Sequence, residues 1–208
     1  MTPRSYAAGA ALAALALLSA CGDDTALPAP PQMESRVDVD TPELRAEKKR
    51  IGVEACELPD GPGSDLPDLT LACLGGGKEL TLSDVSGPAV VQLWASWCVS
   101  CPDELPLFQR LADEHGPAGT GELTVFGIDW QDTQPGKAMA LLDHTDATMP
   151  QWADPGGDLA DHFRLNALPA ILLVDEDGAV TFKLMRIDTY AQLTELVTEH
   201  TGVQVEAG

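Results

Sequence analysis

Cys98 and Cys101, two residues apart, stand between the apolar run Ala89-Val90-Val91-Gln92-Leu93-Trp94 and a stretch with helical periodicity. A run whose only polar member is Gln92 suits a strand buried on both faces, as in sheets covered by helices. The chain must therefore place two thiols where a buried strand ends and a helix begins. A thiol at a helix start feels the positive end of the helix dipole and free backbone N–H groups, both of which favour thiolate. A second thiol one turn further on can displace the first from a mixed disulfide, so the pair can pass two electrons to or from a partner.

Around this motif, strands and helices alternate. Residues 69–74 and 78–82 alternate apolar and polar side chains about Gly75-Gly76-Gly77, a hairpin pattern. Residues 101–115 carry Leu105, Phe108, Leu111 and Ala112 at helical spacing, with Pro106 expected to kink the helix. Residues 123–129 read as the next strand, 135–143 as a helix with Pro135 in its first turn, and 158–164 as a short helix. Strands over 170–174 and 179–185 flank the tight turn Glu176-Asp177-Gly178. A last helix begins at Asp188 or Thr189, carries Leu193, Leu196 and Val197 on one face, and ends at Gly202. The expected architecture is a central sheet, mostly parallel and edged by hairpins, with helices on both faces.

The chain opens with one basic residue, Arg4, and an apolar run over residues 6–20. That run is shorter than the roughly 20 residues that span a bilayer and suits the core of an export signal. Leu18-Ser19-Ala20-Cys21 resembles the lipobox of bacterial lipoproteins, in which the cysteine is lipidated and becomes the first residue; an ordinary signal peptide is the alternative. Cleavage before Cys21 leaves 11 basic and 33 acidic residues, net −22 against −21 for the whole chain. So acidic a surface argues against nucleic acid, and against anionic lipid bound through a basic patch. Residues 21–52, with Pro28-Ala29-Pro30-Pro31 and a charged run over 43–50, read as a disordered tether in which residues 41–50 form at most a short helix. The folded domain is expected over residues 53–208. Cys56 and Cys73 fit a structural disulfide in an oxidising compartment, with a second redox pair or two free thiols as alternatives. His115, His144, His162 and His200 show no metal-ligand spacing with the cysteines and read as surface residues, so neither metal nor cofactor is expected.

The run Val90-Val91-Gln92-Leu93-Trp94-Ala95-Ser96-Trp97-Cys98, the Cys-x-x-Cys, Glu104, Pro106, and Leu165-Asn166-Ala167-Leu168-Pro169 ahead of a strand together resemble thioredoxin-fold proteins of the TlpA/ResA type, over roughly residues 66–200. The resemblance implies a thioredoxin-like α/β fold: a central mixed sheet, helices on both faces and an N-terminal β-hairpin extension. It makes Cys98 the exposed nucleophile, Cys101 the buried resolving thiol, and Glu104 the group that takes or returns the Cys101 proton. An acid stabilised by the dipole in a helix's first turn is the other reading of Glu104. Gln92 stands where cytosolic thioredoxins carry a buried aspartate, which adds weight to Glu104. Pro169 matches the family's cis-proline, which would leave the Leu168 backbone free to pair with an extended substrate segment. Trp97 would offer an apolar contact surface beside Cys98, Trp94 belongs in the core, and Trp130 fits either role. Ala167 and Ala170 depart from the glycine and small hydroxyl residue usual around that proline. Ser100 replaces a usual proline, restoring an N–H and adding a hydroxyl near the Cys98 sulfur, where both tune the redox pair.

The expectation is a membrane-anchored, extracytoplasmic thiol-disulfide oxidoreductase. It would be a monomer that exchanges disulfides with exported proteins and with a membrane redox donor or acceptor. The resemblance favours reduction, as of apocytochrome c thiols in cytochrome c maturation, whereas Ser100 pulls toward oxidation, as in a DsbA-like oxidase. A lipoprotein binding or scaffold module with a static Cys98–Cys101 bridge, and a metal carrier using both thiols, are the rival readings.

Overall fold

The computed structural model describes residues 37–206; Cys21, the expected export signal and half of the expected tether lie outside the described residues. Helix α1 (Pro42–Ile51) is followed by strands β1 (Thr70–Cys73) and β2 (Leu80–Thr81), a 3-10 turn (Leu82–Asp84) and β3 (Ala89–Trp94). Then come α2 (Cys101–His115), β4 (Thr124–Trp130), α3 (Pro135–His144), β5 (Gln151–Asp154) and α4 (Leu159–Phe163). β6 (Ala170–Val174), β7 (Val180–Leu184) and α5 (Tyr190–Thr201) complete the chain.

The strands form one sheet in the order β2-β1-β5-β4-β3-β6-β7. Only β3–β4 and β4–β5 pair in parallel, and the other neighbours are antiparallel, so the sheet is mixed rather than mostly parallel. β5 has no counterpart in the sequence reading: four residues between Pro150 and a turn, two of them Gln151 and Asp154, carry no apolar alternation, yet all four are buried. It takes β1 as its antiparallel neighbour, with Ala72 opposite Ala153, and so joins the expected hairpin to the central sheet.

Each sheet face carries its own core. Val90, Trp94 and Val125 pack with Leu44 of α1, Leu105 and Phe108 of α2, Met139 of α3 and Leu193 of α5. On the other face Val91, Leu93, Phe126 and Ile128 pack with Leu159 of α4 and Leu82 of the 3-10 turn. The alternation follows from the two-residue period of a strand. It puts α2, with Cys98 and Cys101, on the first face, where helix α2 runs unbroken through Pro106.

The tether boundary expected at residue 53 is corrected, because the folded residues reach back to at least Val37. Thr41 caps α1 by accepting the Leu44 N–H at 3.3 Å, Pro42 opens the helix, and Gly52 closes it in the left-handed region at φ 81°. Val39 and Leu44 enter the core. Sequence periodicity could not find this docking, because Leu44 is the only large apolar residue of the segment before Ile51. The glycine run opposite α1 makes room for it. Gly75, Gly76 and Gly77 all have positive φ, and a Cβ on Gly77 would stand 2.8 Å from Cys73 Sγ.

Candidate active site

β3 ends at Trp94 and the chain turns before α2. Cys98 N–H donates to the Ala95 carbonyl at 3.1 Å, Ser96 N–H to Asp132 Oδ2 at 2.8 Å, and Trp97 Nε1–H to the Gln131 carbonyl at 3.1 Å. The first bond closes the turn, and the other two pin the segment that presents the redox pair to the loop after β4. Cys98 and Cys101 are joined as a disulfide. α2 begins at Cys101, so Cys98 sits in the turn ahead of the helix rather than at its first position. Cys98 keeps 5 % of its surface and Cys101 none, which corrects the expectation of an openly exposed nucleophile. The apolar surface around Cys98 comes from its neighbours, Trp97 at 46 % and Val99 at 96 % exposure. The Ser100 hydroxyl caps no helix N–H and lies 3.9 Å from Cys98 Sγ.

Glu104, one turn into α2, is 1 % exposed and accepts the Ile187 N–H at 2.9 Å. Burial pushes its carboxyl up to about 7, against the opposing pull of the Ile187 hydrogen bond and the Arg186 charge. A carboxyl poised there exchanges a proton near neutrality, whereas one stabilised by the helix dipole at a solvated surface would titrate well below it.

Gln92 is fully buried and neither of its side-chain polar atoms has a partner among the described residues. In β4, Asp129 stands opposite Trp94 and on the same sheet face as Val125. It is 2 % exposed and its Oδ1 has no partner among the described residues. Burial first, then the neighbouring Asp132, holds its carboxyl well above the usual range. Asp132 is buried too, accepting from Ser96 and Gln134 backbone N–H groups. The sequence reading had no role for these two acids. Strand period is the signal that finds Asp129, since Val125, Gly127 and Asp129 share the face on which the Cys98–Cys101 segment packs, whereas Asp132 lies in the loop past β4 and has no such signal.

The Leu168–Pro169 peptide is cis, β6 begins its pairing with β3 at Ala170 opposite Leu93, and Leu168 packs against the cluster that contains both cysteines. Trp94 is core, its Nε1–H donating to Gln151 Oε1 at 2.9 Å. Trp130 is buried on the opposite face, with its ring centroid 6.2 Å from that of Trp97. His144 and His162 are exposed, while His115 and His200 are partly buried rather than on the open surface. Among the described residues no helix is long and apolar enough to cross a membrane.

A disulfide at the end of a buried strand, a buried carboxyl one turn along the following helix and a proline at the entrance to the neighbouring strand fit the site of a thioredoxin-like thiol-disulfide oxidoreductase. The chain belongs to the AhpC/TSA family, whose profile matches residues 62–183. It is 27 % identical over 158 residues to the thiol:disulfide interchange protein DsbE of Pseudomonas fluorescens biotype C, covering 74 % of this chain and 85 % of that one. It is likewise 27 % identical over 148 residues to the thiol-disulfide oxidoreductase ResA of Bacillus cereus, covering 71 % and 76 %. Among solved structures it is similar to MTB DsbF in its mixed oxidised and reduced forms, with a TM-score of 0.56, 28 % identity, and 64 % and 94 % of the two chains covered. This protein is therefore an enzyme of the DsbE/ResA type, with a Cys56–Cys73 disulfide in addition to Cys98–Cys101.

Proposed function

We infer that this oxidoreductase works outside the cytoplasm, held to the membrane by lipid on Cys21. It exchanges disulfides with exported proteins through a mixed disulfide at Cys98. In the reducing direction the Cys98 thiolate attacks a partner disulfide and Cys101 then displaces the partner, its proton passing to Glu104. Trp97, held by its bond to Gln131, and the Leu168 backbone ahead of cis-Pro169 receive the partner segment. Apocytochrome c cysteines are the substrate class this reading favours. The observation that carries it is Glu104, a buried carboxyl poised near 7 one turn along α2 from Cys101. A static bridge has no use for such a group.

Equilibrating the native protein with dithiol buffers of graded potential and counting thiols by alkylation separates the two readings. A reversible Cys98–Cys101 couple in folded protein is expected, and a bridge that opens only on unfolding would sink the proposal. In the same titration Ser100→Pro should lower the potential, because it removes an N–H and a hydroxyl that stabilise the Cys98 thiolate. Each tenfold change in the equilibrium is about 30 mV. An unchanged or higher value would rule out Ser100 as the tuning residue.

A further inference from the structure

Cys56–Cys73 is placed unlike an inert staple. Lys48 of α1 is 7 % exposed, and its Nζ lies 2.8 Å from Cys73 Sγ, 3.5 Å from Cys56 Sγ and 3.2 Å from the Gly76 carbonyl. Its close contacts are thus two sulfurs and a carbonyl rather than a carboxylate. Burial disfavours the Lys48 ammonium and the charge of Asp40 offsets this only in part, while a disulfide, which carries no charge, adds nothing. A thiolate would. Cys56 Sγ in turn lies 3.2 Å from the Gln151 carbonyl, an acceptor that a disulfide sulfur cannot use and a thiol can. Cys73 Sγ also lies 2.9 Å from the Gly76 carbonyl, which repels a thiolate, so the Lys48 ammonium that contacts both atoms has to carry the Cys73 charge, while a Cys56 thiol has its acceptor in position.

Beside them lies a pocket of about 330 Å³, and Cys56, 1 % exposed, is one of its walls, so a thiol reaches its sulfur only from within the pocket. Arg45, Lys48, Lys49 and Lys78 line it, opposed by Glu57. Arg45 is paired with Asp40, but four of the 12 basic residues of a chain of net charge −21 still meet at this one place. The pocket is suited to an anionic ligand on an otherwise repelling surface.

We propose that Cys56–Cys73 is a second redox couple, opened by a small thiol that carries carboxylates, enters this basic pocket and attacks Cys56. The incoming thiolate forms a bond to Cys56 Sγ, the Cys56–Cys73 bond breaks, and its electron pair leaves on Cys73 as a thiolate facing the Lys48 ammonium. Attack at Cys56 is favoured because a sulfur whose thiolate is stabilised is the better leaving group. A second molecule of the thiol then attacks the mixed disulfide. It releases the oxidised small-molecule disulfide, and Cys56 takes a proton from solvent. Two thiols supply the two electrons.

The test uses the full chain carrying Cys98→Ser and Cys101→Ser, so its outcome is independent of chemistry at the first pair. The protein is equilibrated in glutathione buffers, quenched in acid and alkylated with a maleimide, and thiols are counted by mass while circular dichroism follows the fold. Two thiols are expected to appear together in folded protein and to disappear when oxidised glutathione is restored. Lys48→Met should lower the equilibrium constant for reduction at least tenfold, and Lys48→Arg should recover most of that loss. At low salt, glutathione should react faster than uncharged 2-mercaptoethanol at equal thiolate concentration, with the advantage shrinking in 0.5 M salt. A bridge that opens only when the protein unfolds overturns the proposal. So does a Lys48→Met constant equal to the parent's, and a glutathione rate no higher than that of 2-mercaptoethanol refutes the pocket as its entry.

Discussion

Cys101→Ser is expected to accumulate covalent adducts with exported proteins in the membrane where the chain is made, while Cys98→Ser forms none and loses disulfide exchange to background. The asymmetry follows from the two positions. Cys98, in the turn ahead of α2, retains the little exposure the pair has, and Cys101 has none, so a partner can reach only the first sulfur. Without Cys101 the mixed disulfide has no internal thiol to resolve it and persists until an external reductant is added. Non-reducing gels with peptide mapping of the linkage read this directly. Adducts mapped to Cys56 or Cys73 instead, or exchange surviving in Cys98→Ser, would move the chemistry away from α2.

Glu104→Gln should separate activity from stability in opposite directions. If Glu104 takes the Cys101 proton, the resolving step speeds up in the parent enzyme as pH rises through about 7, where the carboxyl ionises. The variant is expected to lose that limb and to run roughly 10²-fold slower above it, the usual size of a general-base contribution. The folded-state pKa lies above the ordinary value of 4.5, so the stability linked to this carboxyl is fully present below 4.5 and lost as pH rises to about 7. At pH 8 the variant should therefore resist urea better than the parent, by up to about 3 kcal/mol at 1.36 kcal/mol per pK unit. An unaltered pH–rate profile would remove Glu104 from the proton path, whatever the urea result.

What could be read from the chain was what local pattern determines. The β3 run, Cys98, Cys101, Glu104 at helical spacing and Leu168-Pro169 ahead of β6 each announce their position within a few residues of sequence. The unread parts are those in which a residue's environment is supplied from far away. Asp129 looks like an ordinary strand-end acid until β3 and the Ser96 turn close over it. Lys48 lies in a charged run that reads as solvated, and only the glycine turn beneath α1 turns it inward. β5 has too little apolar character to declare itself, and it is a strand because β1 and β4 flank it. Ser100 stands out in the sequence as a departure from a usual proline, and the structure leaves its hydroxyl uncommitted to the helix.

β1 has one neighbour close by and one remote: β2 follows within the same hairpin, whereas Ala72 meets Ala153 only across the whole span of β3, α2, β4 and α3. A chain made from its N-terminus therefore holds Cys56 and Cys73, 17 residues apart, long before β5 is synthesised. Closing so short a loop costs little entropy, while the distant pairing belongs to the late contacts of assembly. The Gln151 carbonyl that abuts Cys56 arrives with β5. The two cysteines can thus meet before the β1–β5 seam forms, and the seam then sets the Gln151 carbonyl against Cys56 while leaving that residue in the wall of its pocket.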